Sequence, residues 1–319
     1  MTFTFRPAIR ENVQLLIGVA GGTGSGKTFS AMRLASGMSG GKPFVVIDTE
    51  NGRARHYADA FKFDCGDLRA PFRPNAYAEA IIAADAAGYP VIVVDSFSHE
   101  HAGEGGILDM QEAELNRLAG DDWKKREAVK MLSWAACKKE HKHMMQKLLQ
   151  VKANVILCFR AEEKIEVAKV DGKTVVRPKQ SLVGLDGWIP VCEKTVPFEM
   201  TCSFLLTPDA PGIPKPIKLQ QQHRPFIRLD SPLDENAGAR LQEWAAGGIK
   251  VSVSKENAPN GQEEATASAL IDFLSMIDGA SSMEELKEFF AAAVDWAKIN
   301  DRTAIPKLTE AKDKRKSQL

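Results

Sequence analysis

Apolar residues in this chain fall into short uninterrupted runs, separated by stretches where they recur every three or four positions. Leu15 to Ala20, Phe44 to Ile47, Val91 to Val94 and Asn154 to Phe159 are the runs, and each reads as a buried strand. Between the first two, Phe29 to Met38 sets Ala31, Leu34, Ala35 and Met38 on one helical face. Asn75 is expected to cap a helix over Ala76 to Ala87 that stops at Gly88. A long helical region over residues 106–150 has a break expected at Gly120. Uniformly apolar strands alternating with helices predict an α/β fold whose central sheet is mainly parallel and covered on both faces.

The texture changes after Phe159. Lys164 to Pro178 alternates around Asp171-Gly172 and predicts a β-hairpin. Phe198 to Leu206 and Pro216 to Leu229 read as later, antiparallel strands. A helix from Asp234 to Ala246 should end at Gly247-Gly248. Lys250 to Ala265 is poor in large apolar residues and reads as a linker. Three short helices are expected beyond it. One carries Ala269, Leu270, Phe273 and Leu274, one starts at the capping box Ser282-Met283-Glu284-Glu285, and one follows Pro306. The expected division is a nucleotide-binding domain over 1–249, a linker over 250–265 and a small helical module over 266–319.

Composition narrows the class. The chain has 319 residues, 44 % hydrophobic and 26 % charged, ordinary values for a globular protein. No apolar run approaches the roughly 18 residues that span a bilayer, and the first residues lack the apolar core of a signal peptide. Five widely spaced cysteines form no C-x-x-C pair and are expected to be reduced, in a cytoplasmic protein. Lys plus Arg equals Asp plus Glu, 42 each, so a nucleic-acid role must rest on local basic patches.

The chemistry centres on Gly21-Gly22-Thr23-Gly24-Ser25-Gly26-Lys27-Thr28, which fits G-x-x-x-x-G-K-[ST] between a strand and a helix. Glycines let backbone N–H groups close around phosphate oxygens, and the helix N-terminus faces the same anion. Lys27 would neutralise the β- and γ-phosphates, and the Thr28 hydroxyl would hold Mg²⁺. Asp95, ending the β-branched run Val91 to Val94, is the expected second metal-holding group. Ser96 follows it rather than Glu, so the attacking water needs a base from elsewhere. Glu50, just past the strand Phe44 to Ile47, is that candidate, with Glu100 in reserve.

Ile47-Asp48-Thr49-Glu50 followed by Val91-Ile92-Val93-Val94-Asp95-Ser96 resembles the RecA-like ATPase core over about residues 1–230. More closely, the chain is similar to the ATP-binding proteins encoded beside phage recombination genes, including single-strand annealing ATPases. The stretches His141 to Gln150 leading into Val155 to Arg160, Pro197-Phe198-Glu199 and the short helical tail carry that likeness. The resemblance implies ATP and Mg²⁺ as ligands, Glu50 as catalytic base, and a homo-oligomer with nucleotide at its subunit interfaces. It also implies a role on single-stranded DNA, in the host cytoplasm if phage-encoded. The helical tail would contact a recombination or single-strand-binding protein. Arg160 then stands where the family places a γ-phosphate sensor, and a structural salt bridge is the other reading of it. The family's basic pair before Pro-Phe falls on Leu219 and Gln221 when aligned on Pro225-Phe226, which leaves Lys218 and Arg224 as candidates to act in trans. DNA contacts would come from Lys169, Lys173 and Arg177 of the hairpin, and from Lys138, Lys142 and Lys147 on the helix near 140, unless these faces are simply solvated.

Three other readings start from the same loop. A small-molecule kinase would use Arg53 and Arg55 as a lid. A partition-type ATPase would need a lysine early in the loop, where Gly21 and Gly22 stand. A non-hydrolysing scaffold would bind nucleotide and act through the tail.

Overall fold

A computed structural model describes residues 9–170, 173–179, 185, 187–247, 277, 282–300 and 304–316. The chain divides into two compact units, Met1–Val251 and Ser252–Leu319.

The first unit is built on a sheet of eight strands. The N-terminal part contributes β1 (Leu16–Gly21), β2 (Phe44–Asp48), β3 (Phe63–Asp67), β4 (Val91–Asp95) and β5 (Asn154–Glu163). After a two-stranded hairpin of β6 (Ile165–Val170) and β7 (Lys173–Pro178) come β8 (Trp188–Pro190), β9 (Cys202–Thr207) and β10 (Ala210–Leu219). The order across the sheet is β10-β9-β1-β5-β4-β2-β3, with β8 pairing the far end of β5. All neighbours from β9 to β3 are parallel, and β10 and β8 run antiparallel to their partners in this sheet. The α/β fold with a mainly parallel sheet is therefore as the apolar runs predict. The two later strands, β9 and β10, pair antiparallel as expected, and β9 joins the sheet by lying parallel to β1.

Helices cover both faces. α1 (Lys27–Met38) packs on one face with α7 (Glu235–Ala245), while α2 (Pro74–Ala86) and α5 (Trp123–Leu148) cover the other. The short α3 (Ser98–Ala102) and α4 (Ile107–Ala119) lie between β4 and α5, and a one-turn α6 (Val196–Glu199) precedes β9. Ala31, Leu34, Ala35 and Met38 of α1 are all buried, as their spacing implies. Two glycines let α7 lie against α1. A Cβ on Gly37 would meet Glu235 O at 1.8 Å, and one on Gly238 would meet Leu34 O at 2.2 Å. Arg33 of α1 clamps the same junction, its Nε donating to Glu235 Oε1 at 2.9 Å and its Nη2 to Oε2 at 2.6 Å.

Several expected boundaries move for physical reasons. Asn75 does not cap α2. Pro74 opens the helix, where its missing N–H costs nothing, and the Asn75 amide instead donates to Glu79 Oε1. Pro197 seeds the α6 turn, so the strand expected from Phe198 begins only at Cys202. The strand expected over Pro216 to Leu229 is β10, which ends at Leu219 before a 3-10 turn over Arg224–Phe226. The break at Gly120 holds, its φ of 55° separating α4 from α5. The hairpin pairs Ile165 with Pro178 through Val170 with Lys173, and its turn Asp171-Gly172 lies outside the described residues.

In the second unit, α8 (Met283–Asn300) and α9 (Ile305–Lys316) bury Leu286, Ala293, Ala297, Ala304 and Leu308 together with Ile277. Ser282 Oγ accepts from Glu285 N at 3.2 Å, the capping contact its motif implies. The linker over 250–265 and the helix expected around Ala269 to Leu274 lie outside the described residues.

Candidate functional site

The parallel strands β1, β2, β4 and β5 end together, and their tips enclose a cleft of about 740 Å³. It is lined by Gly21 to Thr28, by Asp48 at the end of β2 and Glu50, Arg53, Ala54 and Tyr57 after it, by Asp95, and by Arg160 to Glu162 of β5. The candidates Lys27, Thr28, Glu50, Asp95 and Arg160, far apart in sequence, are thus brought to one place.

The loop itself is shaped by its glycines. Gly24 and Gly26 take φ of 79° and 78°, the left-handed region that glycine enters without strain. At Gly22 the need is space: a Cβ there would stand 2.6 Å from the ring of Trp188, which closes over the loop from β8. Lys27 Nζ donates to Asp95 Oδ1 at 2.7 Å, and Thr28 Oγ1 to Asp95 Oδ2 at 2.5 Å. Burial alone would push the Lys27 ammonium down, but the charge and hydrogen bond of Asp95, with help from Glu50, hold it above the usual lysine range. A hydroxyl and a carboxylate side by side at a phosphate loop are the hard oxygen donors that Mg²⁺ takes, so these residues fit that ion. Among the described residues, no cluster of three or more His, Cys, Asp or Glu side chains forms a separate metal site.

The β2 tip is organised by Asp48. Its Oδ1 accepts from Glu50 N at 2.6 Å and its Oδ2 from Ala54 N at 2.7 Å, which folds the 3-10 turn Arg53–Tyr57 back towards the cleft. Glu50 is held from both sides. Its Oε1 accepts from Arg160 Nη2 at 2.8 Å and Nε at 3.2 Å, and its Oε2 from Arg53 Nη1 at 3.1 Å. Partial burial pushes the Glu50 carboxyl up. The Arg160 hydrogen bond, the Lys27 charge and Arg53 outweigh that and hold it below the usual carboxylate range. Arg160 is anchored through its backbone N–H to Ser98 Oγ at 2.8 Å, with its side chain half exposed in the cleft. Arg160 lines the cleft and is salt-bridged to Glu50.

Glu100 is not in the cleft. It is fully buried on α3, where Oε1 lies 2.9 Å from His141 Nδ1 of α5. Burial pushes its carboxyl up, opposed by the His141 contact. It is not among the residues that line the cleft with Lys27, Thr28, Glu50 and Asp95.

The expected DNA and trans-acting residues lie outside the cleft lining. Lys138 and Lys142 are exposed on α5, whereas Lys147 is half-buried and donates to Asn75 Oδ1 at 3.2 Å, so the expected basic row is partly engaged. Lys169 and Lys173 sit near the hairpin turn in β6 and β7, and Arg177 pairs with Glu166 at 2.7 Å. Lys218 Nζ donates to Phe198 O at 2.7 Å, and Arg224 is exposed on the turn after β10.

Sequence reasoning missed Asp48 as an organiser, Tyr57 in the cleft wall and Trp188 over Gly22. Asp48 lies in the stretch Ile47-Asp48-Thr49-Glu50, two residues before the candidate base. Tyr57 lies seven residues beyond Glu50 in a stretch with no period, and Trp188 is a lone aromatic between irregular segments. All five cysteines are free, and no described helix is long and apolar enough to cross a membrane.

A family model described as an AAA domain matches residues 14–182, just over half of the chain. No curated protein matches it.

Proposed function

The chain belongs to the AAA-domain family of P-loop nucleotide-binding proteins, and from that premise we propose that it binds and hydrolyses Mg²⁺-ATP as a RecA-like ATPase. One observation carries the reading: Lys27, Thr28 and Asp95 meet within hydrogen-bond distance at the floor of a cleft whose rim holds Glu50 and Arg160. The loop 21–28 would wrap the triphosphate with its backbone N–H groups. Lys27 would turn from Asp95 to the β- and γ-phosphates. Thr28 and Asp95 would hold Mg²⁺, which supplies charge neutralisation when bound. Glu50, kept ionised, would take the proton of the attacking water, and Arg160 would face the charge that develops on the γ-phosphoryl oxygens. The Tyr57 ring in the cleft wall offers a plane for the base.

The biological reading is recombination or single-strand annealing on DNA, by a phage-encoded, cytoplasmic homo-oligomer. It is supported by the motif resemblance and by the position of the hairpin. β5 carries Arg160 in the cleft and, after Glu163, the chain leads directly into β6, so a strand held by Lys169, Lys173 or Arg177 would sit one segment from the γ-phosphate. Lys138, Lys142 and Lys147 are the second candidate DNA face. Lys218 and Arg224, outside the protomer's own cleft, are available to reach a neighbour's nucleotide, and the helical module would bind a partner protein.

The test is steady-state phosphate release with and without single-stranded DNA. Stimulation by DNA, abolished in Lys27→Ala, supports the reading. Hydrolysis indifferent to DNA removes the recombination role and leaves the nucleotide site.

A further inference from the structure

We infer that His99 is a positioning residue for hydrolysis: its Nδ1 hydrogen-bonds with the Thr49 hydroxyl and thereby holds the strand tip carrying Glu50 against the strand tip carrying Asp95. The inference rests on the reading of Glu50 as the base.

Thr49 is the residue between Asp48 and Glu50, and it is buried. Its backbone N–H donates to Asp95 O at 2.9 Å. Its hydroxyl oxygen makes three further contacts: Ser96 N at 2.8 Å, Ser96 O at 3.0 Å and His99 Nδ1 at 2.8 Å. Thr49 is thus the stitch between the β2 tip and the β4 tip, the two chain segments that carry the proposed base and metal-holding carboxylate.

The Thr49 hydroxyl has one proton and two acceptor positions. Ser96 N–H donates to it. Its own proton has Ser96 O at 3.0 Å and the His99 ring nitrogen at 2.8 Å as neighbours, and Tyr77 Oη also donates to Ser96 O, at 3.2 Å. His99 Nδ1 pairs with the hydroxyl whichever of the two carries the proton, so the contact ties α3 to the β2 tip.

The His99 ring is fixed in turn. It sits on α3, half-buried, with its centroid 5.0 Å from that of Phe72. Burial is the main influence on its charge and favours the neutral form. The Arg160 and Lys27 cations act the same way, opposed by Glu50 and Asp95, so the ring stays below the usual histidine range. A neutral ring pairs with the Thr49 hydroxyl through Nδ1. His99 is not part of the cleft lining, so its loss should loosen Glu50 without removing a contact to nucleotide. A displaced base costs rate rather than binding, and misplacement of a reacting group by about 1 Å is worth up to about 10²-fold.

Two substitutions separate positioning from bulk. His99→Phe keeps an aromatic ring against Phe72 and removes the nitrogen that pairs with Thr49. His99→Asn restores a side-chain amide that can hydrogen-bond with the Thr49 hydroxyl as donor or acceptor. The experiment measures kcat, KM and melting temperature for the unmutated protein, both variants and Glu50→Gln. We expect His99→Phe to lower kcat by about 10- to 10²-fold with KM within about twofold, and His99→Asn to recover most of the loss. A kcat unchanged in His99→Phe, or as low in His99→Asn as in His99→Phe at equal melting temperature, overturns the proposal while a slow Glu50→Gln keeps the base assignment. Full turnover in Glu50→Gln overturns the base assignment and this proposal with it.

Discussion

Glu50 and Arg160, 110 residues apart in the chain, share a hydrogen-bonded ion pair of 2.8 Å across the mouth of the cleft. The pairing follows from the sheet order. β4 lies between β2 and β5, and all three run parallel, so residues just past the ends of β2 and within the extended tip of β5 converge. An anion entering the cleft competes with Glu50 for the same guanidinium.

That competition sets a pH prediction. The Glu50 carboxyl is depressed mainly by Arg160, with Lys27 and Arg53 adding to it, against the effect of burial. A depressed carboxylate stabilises the fold above its unfolded-state value and loses that contribution as pH falls through the folded value. In Arg160→Ala the depression should shrink, so the Glu50 titration, followed by carbon NMR of the labelled carboxyl, should move to higher pH. An unmoved titration would show that Lys27 and Arg53 hold the charge alone.

Lys27→Ala should abolish nucleotide binding, because the cleft would keep the Asp95 carboxylate and lose its cation. Fluorescent-nucleotide titration reads this directly, and retained affinity within about threefold would contradict it, since a charge-assisted phosphate contact contributes about 1.5–3 kcal/mol, more than about tenfold in affinity.

Gly22→Ala should weaken nucleotide binding by displacing Trp188, whose ring atom lies 2.6 Å from the added methyl position. Trp188→Ala in the same chain should restore part of the affinity. Equal affinity in Gly22→Ala would mean that the ring yields without moving the loop.

Gly238→Ala tests the helix packing behind the site. Its methyl would stand 2.2 Å from Leu34 O, a backbone atom of the phosphate-loop helix, so α7 must shift. Overpacking of this kind costs about 1–3 kcal/mol, and thermal denaturation should show a fall in melting temperature of several degrees.

Much of this was legible in the chain. β1, β2, β4 and the core of β5 are continuous apolar runs, and a run of that kind has few alternatives to a buried parallel strand. The phosphate loop, Glu50 and Asp95 were readable because they lie at the ends of those runs. β3 was not, because Phe63-Asp64-Cys65-Gly66-Asp67 is a five-residue edge strand whose inward side is just Phe63 and Cys65, too short an alternation to stand out. The α1–α7 contact was also hidden, since Gly37 and Gly238 show their purpose only once two backbones approach. Glu100 was misplaced because a carboxylate soon after β4 looks like a site residue, and nothing in the chain signals that His141, 41 positions on, takes it into the interior.

The central claim is that residues 21–28 hold a triphosphate while Glu50 activates the water. The most direct measurement pairs calorimetric titration of Mg²⁺-ATP with phosphate release, for the unmutated protein and for Glu50→Gln. The account predicts that both bind, and that Glu50→Gln releases phosphate about 10²- to 10⁴-fold more slowly. Equal phosphate release by the two proteins, or no binding by the folded unmutated chain, would contradict it.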